Sequence, residues 1–244
     1  MQKENIKKIT AIGDIHGRDI WKKIVEKESD SDKIVFVGDY VDTHDNISPG
    51  QQVKNFEEIL EFKGDNKDQV VLLIGNHDYH YLPKIVSWGI QYSGFQGSII
   101  PQISYTLMEA VKSGIIQVTY VHENNIFVHA GLSKTWCDVY KIDLDNLESS
   151  VNNLIHERIS AFDFLHSPHS SEYGDPYGNN IWQSPLWIRP LSLLRDCLDD
   201  YNQIVGHTQV YNMDLSIPIK CIDTLGTSQE YLVINDGIFK AKTL

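Results

Sequence analysis

Cysteine is scarce in this 244-residue chain: Cys137, Cys197 and Cys221 stand far apart, with no CxxC pair. That spacing excludes a disulfide framework, and a reducing, cytoplasmic setting is the expectation. Long apolar runs are also missing. The opening "MQKENIKKIT" has no signal-peptide core, and no later run is long enough to cross a bilayer, so neither secretion nor membrane insertion is expected. Positive charge is in deficit, with 21 Lys and Arg against 33 Asp and Glu for a formal net charge of -12. Generic binding to a nucleic-acid backbone needs a basic patch or stripe and is therefore not expected. A small anionic substrate is still allowed, because bound cations can reverse a local field. Internal repeats and Pro/Gly/Ser linkers are absent too, which predicts one domain over residues 1–244.

What the chain does have is a series of short Ile/Val-rich runs that end at Gly, Asp, Asn or His: "ITAIGD", "KIVFVGD", "VVLLIGNHD", "NIFVHAG" and "QIVGHT". Nearly continuous apolar strands of this kind belong in a sheet covered on both faces. Helical spacing lies between several of them, over 18–28 through Ile20, Trp21, Ile24 and Val25, and over 52–63 through Val53, Phe56, Ile59 and Leu60. The early chain thus reads β-α-β-α-β, an α/β fold. A further helix is predicted over 101–113, between Pro101 and Gly114. A hairpin should follow, turning at Glu123-Asn124-Asn125, and helical spacing returns over 144–162. Residues from about 163 to 190 are irregular and read as a lid or recognition segment. The end of the chain, with "KCIDT" and "EYLVIND", reads as strand-rich.

Each polar cluster directly follows an apolar strand, so all of them can gather at one sheet edge, where ligands bind in open α/β folds. The clusters bring Asp14 and His16 ("GDIHG"), Asp39 and Asp42 ("GDYVD"), Asn76, His77 and Asp78 ("GNHD"), His129 ("VHAG") and His207 ("VGHT"). Carboxylates, imidazoles and an amide oxygen suit hard or borderline divalent metals, and no cluster contains a thiol. One ion needs three or four such groups. Six good candidates favour two ions sharing a carboxylate, with a water activated between them and a spare histidine, oriented by a carboxylate, to protonate the leaving oxygen. His77 with Asp42 fits that division of labour. Taken singly, each residue has an ordinary role: Asp14 or Asp39 as a helix cap, Asn76 in a turn, His129 as a buried histidine. Their joint occurrence is what those roles do not explain.

The ordered series "GDIHG", "GDYVD", "GNHD", "VHAG", "GHT" resembles the calcineurin-like metallophosphoesterases, and within them the phosphoprotein-phosphatase branch, which includes bacterial and phage serine/threonine phosphatases and symmetrical diadenosine tetraphosphate hydrolases. The likeness runs from about residue 9 to 234, with "LWIRP" and "CIDT" as softer matches. It implies a β-sandwich flanked by helices and a metal-dependent phosphoester hydrolase that holds two divalent ions, commonly manganese, iron or zinc. The family pattern makes Asp14 and His16 ligands of the first ion and Asp39 the bridge. It assigns Asn76, His129 and His207 to the second ion, His77 as the general acid and Asp42 as its partner.

Two departures stand out. Typical members read "GDxVDRG" where this chain has Thr43-His44, and many phosphatases have Arg where it has Ile74. Arg189 in "LWIRP" matches a third phosphate-binding arginine, while His44, His80 and Lys84 are possible substitutes for the missing two. The resemblance implies a serine/threonine-type or small-molecule phosphatase. A substrate with less phosphate charge, such as a nucleotide diester or a dinucleoside polyphosphate, is the alternative, and a non-catalytic binding protein the third reading. Tyr173, Tyr177, Trp182 and Trp187 are expected to pack the irregular segment onto the body rather than to stack a base. His166 and His169 read as exposed loop residues, and Asp45 as a solvated loop carboxylate.

Overall fold

The computed structural model describes residues 6–87, 89, 94–165 and 178–244. The apolar runs become β1 (Lys8–Ile12), β2 (Lys33–Phe36), β3 (Val70–Leu73), β4 (Ile116–Gln117), β5 (Thr119–His122), β6 (Asn125–Val128), β7 (Asn202–Val205), β8 (Ile219–Cys221), β9 (Glu230–Asn235) and β10 (Ile238–Thr243). They form two sheets, one ordered β10-β9-β1-β2-β3-β4 and the other β5-β6-β7-β8. In the larger sheet β1, β2, β3 and β4 run parallel, while β9 is antiparallel to β1 and β10 to β9. In the smaller, β6, β7 and β8 are parallel and β5 is antiparallel to β6.

Alternation along the strands creates the layers. Ile9, Ala11, Val35, Val37 and Leu73 from the larger sheet share one cluster with Phe127 and Ile204 from the smaller, which is the core between the sheets. The opposite side chains, Ile12, Ile34, Phe36, Val70 and Leu72, pack with Trp21, Ile24, Val53, Phe56 and Ile59 from helices. Because both faces are covered, the strands read as almost unbroken apolar runs. The expected β-sandwich flanked by helices is what forms.

The helices are α1 (Trp21–Lys27), α2 (Pro49–Asp65), α3 (Asn76–Tyr79), α4 (Pro83–Val86), α5 (Ile100–Lys112), α6 (Lys134–Tyr140), α7 (Leu147–Glu157) and α8 (Pro190–Arg195). Start signals explain several. Ser48 caps α2 in a capping box with Gln51, with Pro49 in the first turn, and Ser133 accepts the Trp136 N–H at the start of α6. Two expectations need correction. The hairpin turns on Glu123-Asn124 alone, since Asn125 already pairs with His122, and Glu123 takes the positive φ of 53°. The span 144–162 is not one helix: α7 is flanked by 3-10 turns at Leu144–Asn146 and Ile159–Phe162, and Arg158, at φ -145° and ψ 71°, breaks the helical path between α7 and the second turn. The described residues 178–189 form neither helix nor strand, while 166–177, with His166, His169, Tyr173 and Tyr177, lie outside the described residues. No helix among the described residues is long and apolar enough to cross a membrane.

Candidate metal centre

The ends of β1, β2, β3, β6 and β7 present their polar clusters at one edge, and backbone hydrogen bonds lock the loops together. His16 N–H donates to the Asp39 carbonyl at 2.6 Å, Gly17 N–H to the Tyr40 carbonyl at 2.9 Å, and Gly206 N–H to the His129 carbonyl at 2.7 Å. His16, Asp39, Asp42 and His207 all have positive φ, between 45° and 63°. Left-handed backbone is uncommon for side-chain-bearing residues and is retained where surrounding structure enforces it, often at functional sites. Close approach of chain to chain also requires glycine at two points. A Cβ on Gly75 would lie 2.1 Å from Asp39 Oδ1, and one on Gly206 would lie 1.9 Å from Asp14 Oδ1.

All six expected ligands converge. Donor atoms of Asp14, Asp39 and His129 lie within 4.8 Å of one another, and the three residues are buried. Asp39 Oδ2 sits 3.7 Å from His16 Nε2 on one side and 3.5 Å from His129 Nε2 on the other. His16 Nε2 is also 3.9 Å from Asp14 Oδ2. Asn76 Oδ1 is 2.7 Å from His129 Nε2 and 2.9 Å from His207 Nδ1. Outer hydrogen bonds set the ring tautomers: His129 Nδ1 donates to the Val37 carbonyl at 2.8 Å, and His207 Nε2 to the Trp187 carbonyl at 3.1 Å. Each ring therefore turns a lone pair inward, as a ligating imidazole must.

Electrostatics separates the histidines into two kinds. Burial drives His16 down to about 4, with His77 and Arg18 pushing the same way and Asp39 opposing. Burial likewise lowers His129 and takes His207 well below its ordinary value, the latter helped by Arg189. These three rings are neutral. His77 is the exception: burial alone would lower it, but Asp39 and the 3.1 Å hydrogen bond to Asp42 Oδ2 raise it to about 9. On the acidic side, burial and the neighbours Asp223 and Asp39 hold Asp14 well above the carboxylate range. Asp39, despite the upward push of burial, is kept below that range by its neighbours, among them the His77 cation and the His77 N–H. Burying Asp14, Asp39 and Asp223 so close together is costly unless cations offset their charge. Asp223 Oδ1 is buried with no hydrogen-bond partner among the described residues. The donor set of carboxylates, neutral imidazoles and an amide oxygen fits divalent metal.

Three residues of this site have roles that sequence reading did not give them. Asp78 joins two loops: its Oδ2 accepts the N–H groups of Gly75 (2.9 Å) and Asp39 (2.8 Å), and its Oδ1 that of Tyr40 (2.8 Å). An acidic residue three positions after Gly75, at the start of a helix, was the available signal. Tyr81 donates to Asp42 Oδ1, and nothing in "GNHDYHY" marks it. Asp223 follows β8, in the softly matching "CIDT". Arg189 Nη1 reaches the His207 carbonyl at 3.2 Å and Thr208 Oγ1 at 3.1 Å, which puts its charge beside the ligands.

The positions that depart from the family pattern are also resolved. Ile74 is fully buried in the core, and Thr43 Oγ1 accepts the Asp45 N–H at 2.9 Å. Asp45 is not merely solvated, because it holds Arg18 Nε at 2.7 Å while half exposed. His44 is exposed near the acid pair: the Cβ position of Gly94 lies 3.7 Å from both His44 Cε1 and His77 Cε1. Lys84 is exposed on α4. His80 is buried and driven down to about 3 by burial. Trp187, 7% exposed, packs against His207, His80 and Phe164, so it is a packing residue, while Trp182 is 45% exposed.

The calcineurin-like phosphoesterase family model matches residues 7–211. Solved structures of similar fold include a cold-active protein tyrosine phosphatase of a psychrophilic Shewanella species, at 18% identity over 97% of this chain and 80% of that one, with a TM-score of 0.60. Another is a metallophosphoesterase from Sphaerobacter thermophilus, at 14% identity over 97% and 88%, with a TM-score of 0.51. No curated protein sequence matches significantly. At these identities the structural likeness is one of fold, and the family model carries the assignment: this chain belongs to the calcineurin-like phosphoesterases, metal-dependent enzymes that hydrolyse phosphoester bonds.

Proposed function

We propose that the chain works as one domain and is a two-metal phosphomonoesterase, acting on phosphoserine or phosphothreonine or on a small phosphorylated molecule. The observation that carries this reading is the place of Asp39, whose Oδ2 faces His16 on one side and His129 on the other at nearly equal distances. Asp14, His16 and Asp39 would hold one ion; Asp39, Asn76, His129 and His207 would hold the other. Bound there, two divalent ions such as manganese, iron or zinc supply Lewis acidity toward phosphoryl oxygens and acidify water.

The chain's own residues do the rest. His16, His129 and His207, held neutral, keep lone pairs available for ligation. Water attacks phosphorus directly, forming one P–O bond as the bond to the leaving oxygen breaks and releasing one proton to solvent, from which His77 is later reprotonated, without a phosphorylated enzyme. Asp42 occupies His77 Nδ1, so Nε2–H is the proton free to pass to the departing oxygen, which leaves as an alcohol. Asp39 and Asp42 keep that ring charged until the transfer. Arg189 contributes positive charge to the phosphoryl oxygens from beside His207.

A second reading has its own support. With Ile74 buried in the core in place of one and Thr43-His44 in place of the other, the site lacks the two arginines that resembling phosphatases use. A nucleotide diester or dinucleoside polyphosphate, with less charge to neutralise at the scissile phosphorus, is then the substrate. Metal analysis together with rates on nitrophenyl phosphate, its bis-ester, a phosphoserine peptide and diadenosine tetraphosphate, all with manganese, tests both. Two equivalents of metal and preference for the monoesters are expected. Preference for the bis-ester or the dinucleotide selects the second reading, and absence of both metal and turnover leaves a non-catalytic binding protein.

A further inference from the structure

Resting on the general-acid reading above, we propose that Tyr81 is a positioning residue that fixes the direction of the Asp42 carboxylate and, through it, the His77 ring. Asp42 is fully buried, and its two oxygens serve different partners, with Oδ1 accepting the Tyr81 hydroxyl and Oδ2 meeting His77 Nδ1 at 3.1 Å. His77 and Tyr81 are four residues apart on a chain still turning as a helix, with Tyr81 N–H donating to the Asp78 carbonyl at 3.0 Å, so one turn of backbone holds Asp42 between two side chains. Asp42 itself is pinned at φ 63°, its N–H donating to Gln52 Oε1 at 2.9 Å.

Tyr81 is in turn held from three directions. Its hydroxyl accepts the Gln96 N–H at 2.9 Å, which completes its hydrogen bonding once it donates to Asp42. Its ring stacks on Phe95, centroids 4.9 Å apart and planes at 19°. Its carbonyl accepts the Ser104 hydroxyl at 2.6 Å from α5. The same stretch covers the acid pair, since the Gly94 Cβ position lies 3.6 Å from Asp42 Cβ and 3.7 Å from His77 Cε1. A carboxylate held at only one oxygen can rotate about its Cβ–Cγ bond and carry the histidine with it. Pinning the second oxygen removes that freedom. Misalignment of an acid matters most when the leaving group most needs its proton, so the signature of Tyr81 is a dependence on leaving group.

The test compares Tyr81→Phe, His77→Asn and the double variant, each loaded with manganese, on phenyl phosphate and nitrophenyl phosphate, with metal content measured alongside. General acids contribute about 10² to 10⁴ in rate, and Tyr81→Phe is expected to forfeit about tenfold more kcat on phenyl phosphate than on nitrophenyl phosphate. KM and metal content are expected to match the parent. In the His77→Asn background the same change should add less than about twofold, because two residues acting through one proton transfer are not additive. If His77→Asn shows the leaving-group split while Tyr81→Phe slows both substrates alike, or keeps its full effect in the double variant, Tyr81 only packs and the proposal is overturned. If His77→Asn itself slows both alike, the general-acid reading falls and takes the proposal with it. Phe95→Leu, which keeps the hydroxyl but loosens the ring carrying it, guards against a folding defect in Tyr81→Phe. It should show the same substrate-selective loss at smaller size, and equal losses on the two substrates refute the role.

Discussion

Substituting Asp78 is expected to damage the site from behind, although Asp78 is not among the six proposed ligands. The residue is 2% exposed and accepts three backbone N–H groups, from Gly75, Asp39 and Tyr40. Asp78→Ala strands all three, at about 1–3 kcal/mol for each buried donor, a gross loss of about 3–9 kcal/mol. Part of that returns, because a charge buried next to Asp39 is relieved: burial and Asp39 push the Asp78 carboxyl up to about 7 even with three donors holding it down. An upward shift of roughly three units corresponds to about 4 kcal/mol at most. The net expectation for Asp78→Ala is therefore a loss of about 3 kcal/mol. Asp78→Asn keeps one oxygen, enough for the Gly75 and Asp39 bonds, but turns its NH₂ toward the Tyr40 N–H. Its loss should be smaller, about 1 kcal/mol. Urea unfolding of chelator-treated protein measures both, and manganese titration of the folded variants measures the consequence for Asp39, whose φ of 53° the Asp78 bonds help to hold. Destabilisation below about 1 kcal/mol for Asp78→Ala, with metal uptake unchanged, would refute the reasoning.

Other consequences are equally direct. Gly206→Ala should lower metal occupancy in a folded protein, read by elemental analysis, because the new Cβ would sit 1.9 Å from Asp14 Oδ1 and 2.9 Å from Val37 Cγ2. Arg189→Ala should reduce kcat/KM on phosphomonoesters by about 10² while metal content holds, the loss typical of one preorganised donor to transition-state charge. A remote network predicts a pH effect on stability. Burial pushes Glu28 up, but Lys242, Lys8 and Tyr231 at 2.7–2.9 Å outweigh it and hold the carboxyl at about 2. Its folded value lies below the unfolded one, so its contribution is complete above about pH 4.3 and disappears as pH falls toward 2. Glu28→Gln should cost at most about 3 kcal/mol at pH 7 in urea unfolding and close to nothing at pH 2. A loss that is the same at both pH values contradicts the assignment.

Legibility in the sequence differed from element to element for physical reasons. The strand-terminal clusters were readable because ligation demands particular atoms immediately after a strand, and His16, Asp39, Asn76, His129 and His207 carry that demand in their own side chains. The helix α2 was readable from its apolar stripe of Val53, Phe56, Ile59 and Leu60, while its start at Pro49, capped by Ser48, lies ahead of the expected residue 52. By contrast α6 is only seven residues long, too short to establish a period, and of its apolar residues only Trp136 and Cys137 are buried while Val139 is exposed. The hairpin was off by one residue because Asn125 suits a turn as well as a strand end. Arg18 with Asp45 was missed because the partners are 27 residues apart and only folded loops bring them together.

By itself the sequence determined which atoms are offered: the ordered motifs, the covered parallel strands, the excess of acid over base, and hence the phosphoesterase family. Only tertiary structure decided what those atoms do. β9 returns from the far end of the chain to pair with β1, and two sheets stack, a choice made by burying Ile9, Val35 and Leu73 against Phe127 and Ile204. Those contacts place His129 and His207 opposite Asp14 and Asp39, which no local pattern specifies. They also set the charge of each histidine. Four imidazoles with the same intrinsic affinity for a proton become three neutral rings and one cation, because burial acts on all of them while only His77 has Asp42 against its ring nitrogen.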